Sequence, residues 1–325
     1  MAERFRPLGM TDILSITGVV FVLISLGLAA VRLDALSLMA TKALGQFVVA
    51  FALPALIFRA VSSRPLGEIA NAVYLGAYLI GSLAVFGLGY LWSRRIAGST
   101  RGASTFRAMG MSCSNSGFIG YPVLLMALPE VASTALALSM IVENLVMIPL
   151  VLVLAESASR RGASAGWRGA ARVVGRLTRS PILIALVLGV LVSVTGVPVP
   201  PLVARPVELL AASSAALSLV AIGGTLATLP LRGLGPSVLL VASGKLILHP
   251  LAVGLALLGL AASGVRVGDD RLAAAAVVMA AMPVMSIYPI LAQRSGQERE
   301  AALAMLGMTV LSFVTITAVL ALVLG

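Results

Sequence analysis

The chain has 325 residues, of which 60% are hydrophobic and only 11% are charged. A soluble protein of this length cannot cover its surface with so few charged side chains, so this class is excluded. The formal charge of +11 does not indicate a nucleic-acid partner, because the arginines cluster between apolar blocks, as they do in oriented membrane proteins. The single cysteine, Cys113, excludes an internal disulfide.

The apolar residues form blocks of about 20 residues, each long enough for a helix to cross roughly 30 Å of hydrocarbon. The pattern therefore predicts an all-α polytopic membrane protein, and the short alternating strands of a transmembrane barrel are not seen. The first block is a span rather than a signal peptide, because it lacks a small-residue cleavage site. In chain order the ten predicted spans are approximately 11–31, 43–61, 73–92, 103–128, 132–154, 181–197, 208–229, 236–262, 271–293 and 301–324.

A basic segment, residues 156–180, separates five spans from five. The positive-inside rule predicts that this linker is cytoplasmic and that both termini are outside. Because each half has an odd number of spans, the second half starts from the opposite side of the membrane. Residues 1–155 and 181–325 are therefore predicted to be two five-helix repeats with inverted topology.

The phrases "IGYPVL" (119–124) and "SIYPIL" (286–291) occur in the fourth span of each half. Proline removes a backbone donor and clashes with the preceding helical turn, so both helices are predicted to be broken. The first break is expected between Asn115 and Pro122, and the second beside the phrase "VMSIY". The residues assigned to these breaks are Gly120, Pro122, Pro283 and Pro289.

Each break creates a helix N-terminus, and two of them meeting near the midplane would form an anion site. The carbonyl ends of the first half-helices could hold a cation instead. A kink that only shapes packing is the alternative, and small hydroxyl residues also pack helices together. The candidate substrate-binding residues are Ser114, Asn115, Ser116, Gly117, Ser286 and Tyr288. For Tyr121 and Tyr288 we favour a role as wedges in the crossing over contact with the ligand.

Charges in the membrane interior are costly and usually functional, and the candidates of this kind are Glu143, Lys245 and His249. Lys245 and His249 are four residues apart and share a helix face. Lys245 is expected to snorkel, to pair with a carboxylate, to neutralise an anion or to replace a coupling cation. His249 either bonds a backbone carbonyl or carries protons. Glu143 either binds a hydroxyl or Lys245, or carries protons.

Ionisable residues are absent from the centres of spans 1, 2, 6 and 7, which predicts a scaffold from these four spans. The polar spans 3–5 and 8–10 are predicted to form a transport unit. No Walker A loop and no H-E-x-x-H motif occurs, and one histidine excludes a His-based metal cluster. We therefore expect neither an enzyme nor a cofactor, and a coupling H⁺ or Na⁺ at most.

The phrase "NSGFIGYPVLL" resembles the N-T-G-F-x-G-x-P-L phrase of the auxin efflux carrier family. Further phrases match in order: "FALPALIFRA", "ENLVMIPLVLVL", "SLVAIGGTLA", "KLILHPL" and "MPVMSIYPILAQRSG". The resemblance implies ten helices in a five-plus-five inverted repeat, crossed broken helices that hold a small organic anion, and elevator-like transport. It also implies that Asn115 binds the anion. The second crossover of the family often has asparagine near Ser286, so this chain lacks that amide.

The predicted function is a secondary transporter, and by family expectation an exporter, of a small mono- or dicarboxylate. Bacterial members of the family are often labelled malonate or malate transporters. The expected setting is the bacterial inner membrane, with the lipid bilayer as a partner and a homodimer formed through the scaffold helices. A membrane sensor that binds a ligand in the same fold without moving it is the alternative. A channel fits the paired breaks less well.

Overall fold

A computed structural model describes residues 8–63, 71–159, 175, 179–229, 235–265 and 268–325. These residues contain helices and no β-strand. Most of the predicted cytoplasmic linker, with the arginines at 160, 161, 168, 172 and 176, lies outside the described residues.

The described residues form twelve helices. Their bounds are α1 (Met10–Arg32), α2 (Leu38–Ser62), α3 (Ala72–Arg95), α4 (Arg101–Ser112), α5 (Ser116–Ala127), α6 (Pro129–Ala158), α7 (Pro181–Thr195), α8 (Pro201–Leu226), α9 (Pro236–Ala262), α10 (Asp270–Ala281), α11 (Tyr288–Ala292) and α12 (Glu298–Leu324). Among the described residues, seven helices are long and apolar enough to cross a membrane: α1, α2, α3, α6, α8, α9 and α12. The chain is therefore a multi-pass membrane protein.

Each apolar block predicted from the sequence coincides with one of these helices or with a consecutive pair of them. The helices that begin furthest ahead of their predicted spans are α2 and α8. Ser37 caps α2, where its hydroxyl accepts a hydrogen bond from the N–H of Ala40 at 3.1 Å. Helix α8 begins at Pro201 because proline suits a first helical turn. The ten-span arrangement and its inverted repeat stay predictions.

Helices α1, α2, α7 and α8 pack against one another, with α1 mainly on α8 and α7 mainly on α2. The contact between α1 and α8 is a backbone contact. A Cβ atom at Gly27 would lie 2.8 Å from the carbonyl carbon of Val220, and one at Gly223 would lie 2.8 Å from that of Ile24. Only glycine allows two helices to approach this closely.

The other helices form a second group, in which α3 packs on α4 and α9, and α10 packs on α9, α6 and α12. Two non-helical segments lie inside this group. Residues 113–115 separate α4 from α5, and residues 282–287 separate α10 from α11. The N–H of Asn115 donates to the carbonyl of Pro283 at 2.8 Å, and Ser114 and Val284 form an isolated antiparallel bridge. The two broken segments therefore contact each other directly.

The first break lies earlier in the chain than predicted, and the expected unwinding between Asn115 and Pro122 is wrong. Helix α5 resumes at Ser116, and Pro122 is the second residue of its regular α-helical part. Pro122 does not interrupt α5, because the wide turn Ser116–Gly120 that precedes it makes room for the proline ring. Pro289 likewise occupies the second position of α11, whereas Pro283 lies within the second break.

Four helices contain one wide turn of π-helix. These turns span Val48–Ala52, Ser116–Gly120, Glu143–Met147 and Gly244–Leu248. Each is followed by a proline, at Pro54, Pro122, Pro149 and Pro250 respectively. The wide turn relieves the clash between the proline ring and the carbonyl four residues before it. Such turns often occur at functional sites.

Candidate functional site

Lys245 lies on α9 with its side chain fully buried beside the two breaks. Its Nζ donates to Ser114 Oγ at 2.9 Å, lies 2.9 Å from His249 Nδ1, and also donates to the carbonyl of Ala280. Three acceptors therefore satisfy the three protons of an ammonium group. None of these acceptors is charged, and among the described residues no carboxylate lies within ion-pair distance of Nζ.

His249 is the second buried polar residue of α9. Its Nε2 lies 2.9 Å from Ser82 Oγ on α3, and its Nδ1 lies 3.1 Å from the Ala280 carbonyl oxygen. Nδ1 and this carbonyl both face Lys245 Nζ, so both act as acceptors of its protons. Nε2 then carries the imidazole proton and donates it to Ser82. The predicted shared face of Lys245 and His249 is confirmed by their direct contact.

Glu143 lies on α6, at the first residue of a wide turn, and is buried. Its Oε1 accepts hydrogen bonds from Ser116 Oγ at 2.7 Å and from Tyr78 Oη at 3.0 Å. Ser116 is the first residue of α5. The carboxylate therefore lies at the N-terminal end of this helix, where a negative charge is stabilised.

A continuous hydrogen-bonded path connects the two buried ionisable residues. Tyr78 Oη lies 3.1 Å from Ser114 Oγ, which in turn accepts a proton from Lys245. Tyr78 is the donor to Ser114 Oγ and to Glu143 Oε1, and because a phenol has a single proton it donates to one of the two at a time. We call Lys245, Ser114, Tyr78 and Glu143, in this order, the hydroxyl chain.

Asn115 connects the two breaks through its side chain as well as its backbone. Its Nδ2 donates to Ser286 Oγ at 3.0 Å. Its carbonyl accepts from the N–H groups of Ile119 and Gly120. Asn115 is buried, whereas Ser286 is half-buried. This pair lies where the first turn of α5 presents N–H groups that have no partner within the helix.

The remaining predicted residues lie around this cluster rather than in its hydrogen-bond network. Gly117 is buried against Leu53 and Met140, whose side chains a Cβ atom would meet at 2.9 and 3.0 Å. The ring of Tyr288 is buried beside Gly110 of α4, where an added Cβ atom would lie 2.7 Å from its Oη. Tyr121 is also buried. Their predicted role as wedges stays a prediction.

Sequence reasoning missed Tyr78 and Ser82, which join the ionisable residues into one network. A signal for them exists, because Tyr74, Tyr78 and Ser82 follow one another at intervals of four along α3. This spacing forms a polar stripe on one face of an apolar helix. Tyr74 makes its own contact, with its Oη 2.8 Å from Ser139 Oγ.

The described parts of the chain contain no cluster of three or more His, Cys, Asp or Glu side chains that could hold a metal ion. A surface pocket of about 370 Å³ lies elsewhere, at the beginnings of α9 and α12, and its lining includes Ser237, Gln297 and Glu300. None of its lining residues belongs to the hydroxyl chain. The candidate site itself is buried, so a ligand reaches it only after the helices move.

Comparison with known proteins gives two findings. The family model described as "Membrane transport protein" matches residues 15–320. A protein of Rhizobium meliloti (strain 1021), named "Putative malonate transporter", is 29% identical over 317 residues. That alignment covers 95% of this chain and 96% of the relative.

Proposed function

Because the chain belongs to the membrane transport protein family, the auxin efflux carriers, we propose that it is a secondary active transporter of a small organic anion. The family and the relative's name both indicate a membrane transporter and not an enzyme. Our proposal adds the substrate class, a mono- or dicarboxylate such as malonate, and the direction, export from the cell. The observation that carries it is the buried ammonium of Lys245 beside two broken helices.

The chemistry of the site favours an anionic substrate. Lys245 is bonded only to neutral acceptors, so its positive charge is not cancelled by a direct partner. A charge buried in a membrane protein is costly, and a bound carboxylate would offset that cost. The Asn115 amide and the first turn of α5 supply further donors next to it. The name of the Rhizobium relative agrees with a small dicarboxylate.

The packing of the helices supports alternating access by an elevator-like movement. Helices α1, α2, α7 and α8 form one group and correspond to the predicted scaffold. The hydroxyl chain lies entirely in the other group, which corresponds to the predicted transport unit. In this proposal the second group carries the buried site across the membrane. The inner-membrane location, the cytoplasmic linker, the external termini and the homodimer through the scaffold belong to the same proposal.

The test is reconstitution into proteoliposomes, with uptake of radiolabelled malonate and of a panel of mono- and dicarboxylates. We expect counterflow exchange of at least one dicarboxylate. Binding of a carboxylate with no flux of any acid would instead favour the sensor function, and neither binding nor flux would refute both.

Replacing Asn115 tests the anion site within this assay. Asn115→Ala should weaken the affinity for malonate at least about tenfold, because a hydrogen bond to a charged group contributes about 1.5–3 kcal/mol. Asn144→Ala is the matched control, since the Asn144 amide donates at 2.9 Å only to Met140 of its own helix. An affinity in Asn115→Ala equal to that of the control would remove Asn115 from the site.

A further inference from the structure

We propose that binding of each substrate anion is accompanied by uptake of one proton, that Glu143 holds this proton, and that the hydroxyl chain delivers it. This inference rests on the proposed transport of a carboxylate. It identifies the coupling ion as H⁺ and assigns a role to Tyr78.

The first argument is the position of Glu143. Its carboxylate is bonded to Ser116 at the beginning of α5, which is also the position proposed for the substrate carboxylate. Two carboxylates that share one site cannot both stay ionised without strong repulsion. Protonation of Glu143 removes the repulsion and still leaves its side chain hydrogen-bonded in place.

The second argument is the balance of buried charge. Lys245 and Glu143 are both buried, and together their charges cancel. A bound carboxylate adds one negative charge to a region of low dielectric, where an uncompensated charge costs several kcal/mol. One proton taken up by Glu143 cancels one negative charge, which restores neutrality for a monocarboxylate and halves the excess charge for a dicarboxylate. Binding of the anion and binding of the proton therefore favour each other, which is the requirement for coupled movement.

The third argument excludes His249 as the carrier. Its Nδ1 accepts a proton from Lys245, and its Nε2 donates to Ser82. A second imidazole proton would have to sit on Nδ1, facing the ammonium of Lys245 at 2.9 Å. Like charges at this distance disfavour that state. His249 is therefore a positioning residue that holds Lys245 beside Ser114.

The hydroxyl chain gives the proton a route in which each O–H or N–H bond that breaks is replaced by a new one. The Ser114 hydroxyl first turns its proton towards Tyr78, so that Tyr78 donates to Glu143 alone. Lys245 Nζ then releases a proton to Ser114 Oγ, Ser114 passes its hydroxyl proton to Tyr78 Oη, and Tyr78 passes its own to Glu143 Oε1. The donor–acceptor distances along this path are 2.9, 3.1 and 3.0 Å. Lys245 then regains a proton from water that enters the opened site. The net change is one proton gained by Glu143, with both hydroxyl groups restored.

The titratable groups near Glu143 come from three directions. They are Tyr74 and Tyr78 of α3, Cys113 of the first break, and Lys245 and His249 of α9. The charged residues of the other adjacent helices are engaged elsewhere. Arg59 of α2 is near Tyr121, and Arg271 of α10 lies 3.8 Å from Glu130. Glu143 is thus the acid in this cluster that can lose its charge when an anion arrives.

The test measures binding of radiolabelled malonate to the purified protein from about pH 7 to about pH 9, where malonate itself stays fully ionised. For the wild type we expect the Kd to rise about tenfold per pH unit, because one proton must be bound with each anion. Glu143→Gln imitates the protonated acid, since its amide oxygen still accepts from Ser116 and Tyr78. Its Kd should be independent of pH.

In proteoliposomes Glu143→Gln should lose accumulation driven by an imposed pH gradient to a much greater extent than it loses malonate counterflow. Glu143→Asp retains a titratable carboxyl group and should keep both the pH slope and the accumulation at lower rates. If the malonate Kd of Glu143→Gln rises with pH as steeply as that of the wild type, the assignment of the proton to Glu143 is overturned. If Glu143→Gln does not fold, a pH-independent Kd in the wild type or in Glu143→Asp would overturn it equally.

Tyr78→Phe tests the route, and Tyr74→Phe is its matched control. Both tyrosines are buried on the same helix and their rings stack with centroids 6.0 Å apart, but only Tyr78 lies in the hydroxyl chain. Tyr78→Phe should slow gradient-driven uptake at least about tenfold and leave the pH slope of binding unchanged. Tyr74→Phe should leave both unchanged. Equal rates in the two variants would remove the hydroxyl chain as the route.

These outcomes separate the two proposals. A wild type that exchanges malonate with a pH-independent Kd refutes the proton coupling and leaves the transport function intact. A wild type that neither binds nor exchanges malonate refutes the substrate proposal, and the coupling inference falls with it.

Discussion

The backbone contact between α1 and α8 predicts a sharp difference between two glycines of the same helix. Gly27→Ala would place a Cβ atom 2.8 Å from the carbonyl carbon of Val220, whereas ordinary contacts begin at 3.4 Å. The opposing atoms belong to the backbone of α8, so no side chain can turn away to make room. The helices would have to separate. Gly18→Ala is the control, because a Cβ atom there meets nothing within 4 Å.

Overpacking of this kind costs about 1–3 kcal/mol, which exceeds the gain of up to about 1 kcal/mol from replacing glycine by alanine inside a helix. Gly27→Ala should therefore melt several degrees below the wild type, and Gly18→Ala should melt at or above it. Gly223→Ala should resemble Gly27→Ala, because its Cβ atom would lie 2.8 Å from the carbonyl carbon of Ile24.

The assay is thermal unfolding in detergent, followed by tryptophan fluorescence and by the fraction that remains monodisperse in size-exclusion chromatography. The double variant of Gly27 and Gly223 should lose less than the sum of the single losses, because one separation of the helices relieves both clashes. If Gly27→Ala has the same melting temperature as Gly18→Ala, then α1 and α8 do not meet through Gly27 and Gly223.

Three further predictions concern side chains. Lys245→Met should weaken malonate binding at least about tenfold and lower the melting temperature, since it leaves the buried charge of Glu143 uncompensated and three acceptors without their donor. Arg107 and Glu300 join α4 to α12 by two parallel bonds of 2.7 and 2.9 Å, so Arg107→Lys should lower the melting temperature by more at low salt than at high salt. Ser286→Ala should weaken malonate binding less than Asn115→Ala, because it removes only the acceptor of the Asn115 amide.

Much of the helical architecture could be predicted from apolar block length, because hydrocarbon thickness sets the length of a membrane span. The prediction for α9 agrees with the structure at both ends, Pro236 and Ala262. The family and its transporter class are confirmed by the match over residues 15–320. Helix ends set by local contacts were less predictable. The start of α2 depends on a single serine cap, which block length does not reveal.

The position of the first break depends on tertiary contacts that no local pattern contains. Proline and glycine between Asn115 and Pro122 favour an interruption, but the structure keeps that stretch helical by widening one turn. The chain leaves the helix instead at Ser114 and Asn115, where it pairs with Pro283 and Val284. Residues so distant in sequence determine each other's conformation. The local sequence around either break is therefore not sufficient to place it.

The network was only half predictable for a related reason. Glu143, Lys245 and His249 are conspicuous because ionisable residues are rare in apolar spans. Tyr78 and Ser82 are not, since tyrosine and serine also serve as packing residues in membrane helices. They belong to the network because α6 places Glu143 beside Tyr78 and α9 places His249 beside Ser82. The polar stripe on α3 indicates a polar neighbour but does not identify it.

The wide turns explain why prolines accompany the functional residues of this chain. In each of the four cases a proline stands six residues after the first residue of the wide turn. A wide turn leaves carbonyl groups without their usual helical donors, and in a membrane only polar side chains or water can satisfy them. Three of the four turns begin at or next to a member of the network, namely Ser116, Glu143 and Lys245.

The fourth wide turn shows that proline alone does not create the site. The turn Val48–Ala52 in α2 precedes Pro54 with the same spacing, yet it contains only apolar residues. It lies in the helix group that corresponds to the predicted scaffold. Proline therefore accompanies the wide backbone turn, and the side chain at the start of the turn determines whether that turn belongs to the polar network. In this chain, a polar residue five or six positions before a proline is accordingly a better indicator of the candidate site than the proline itself.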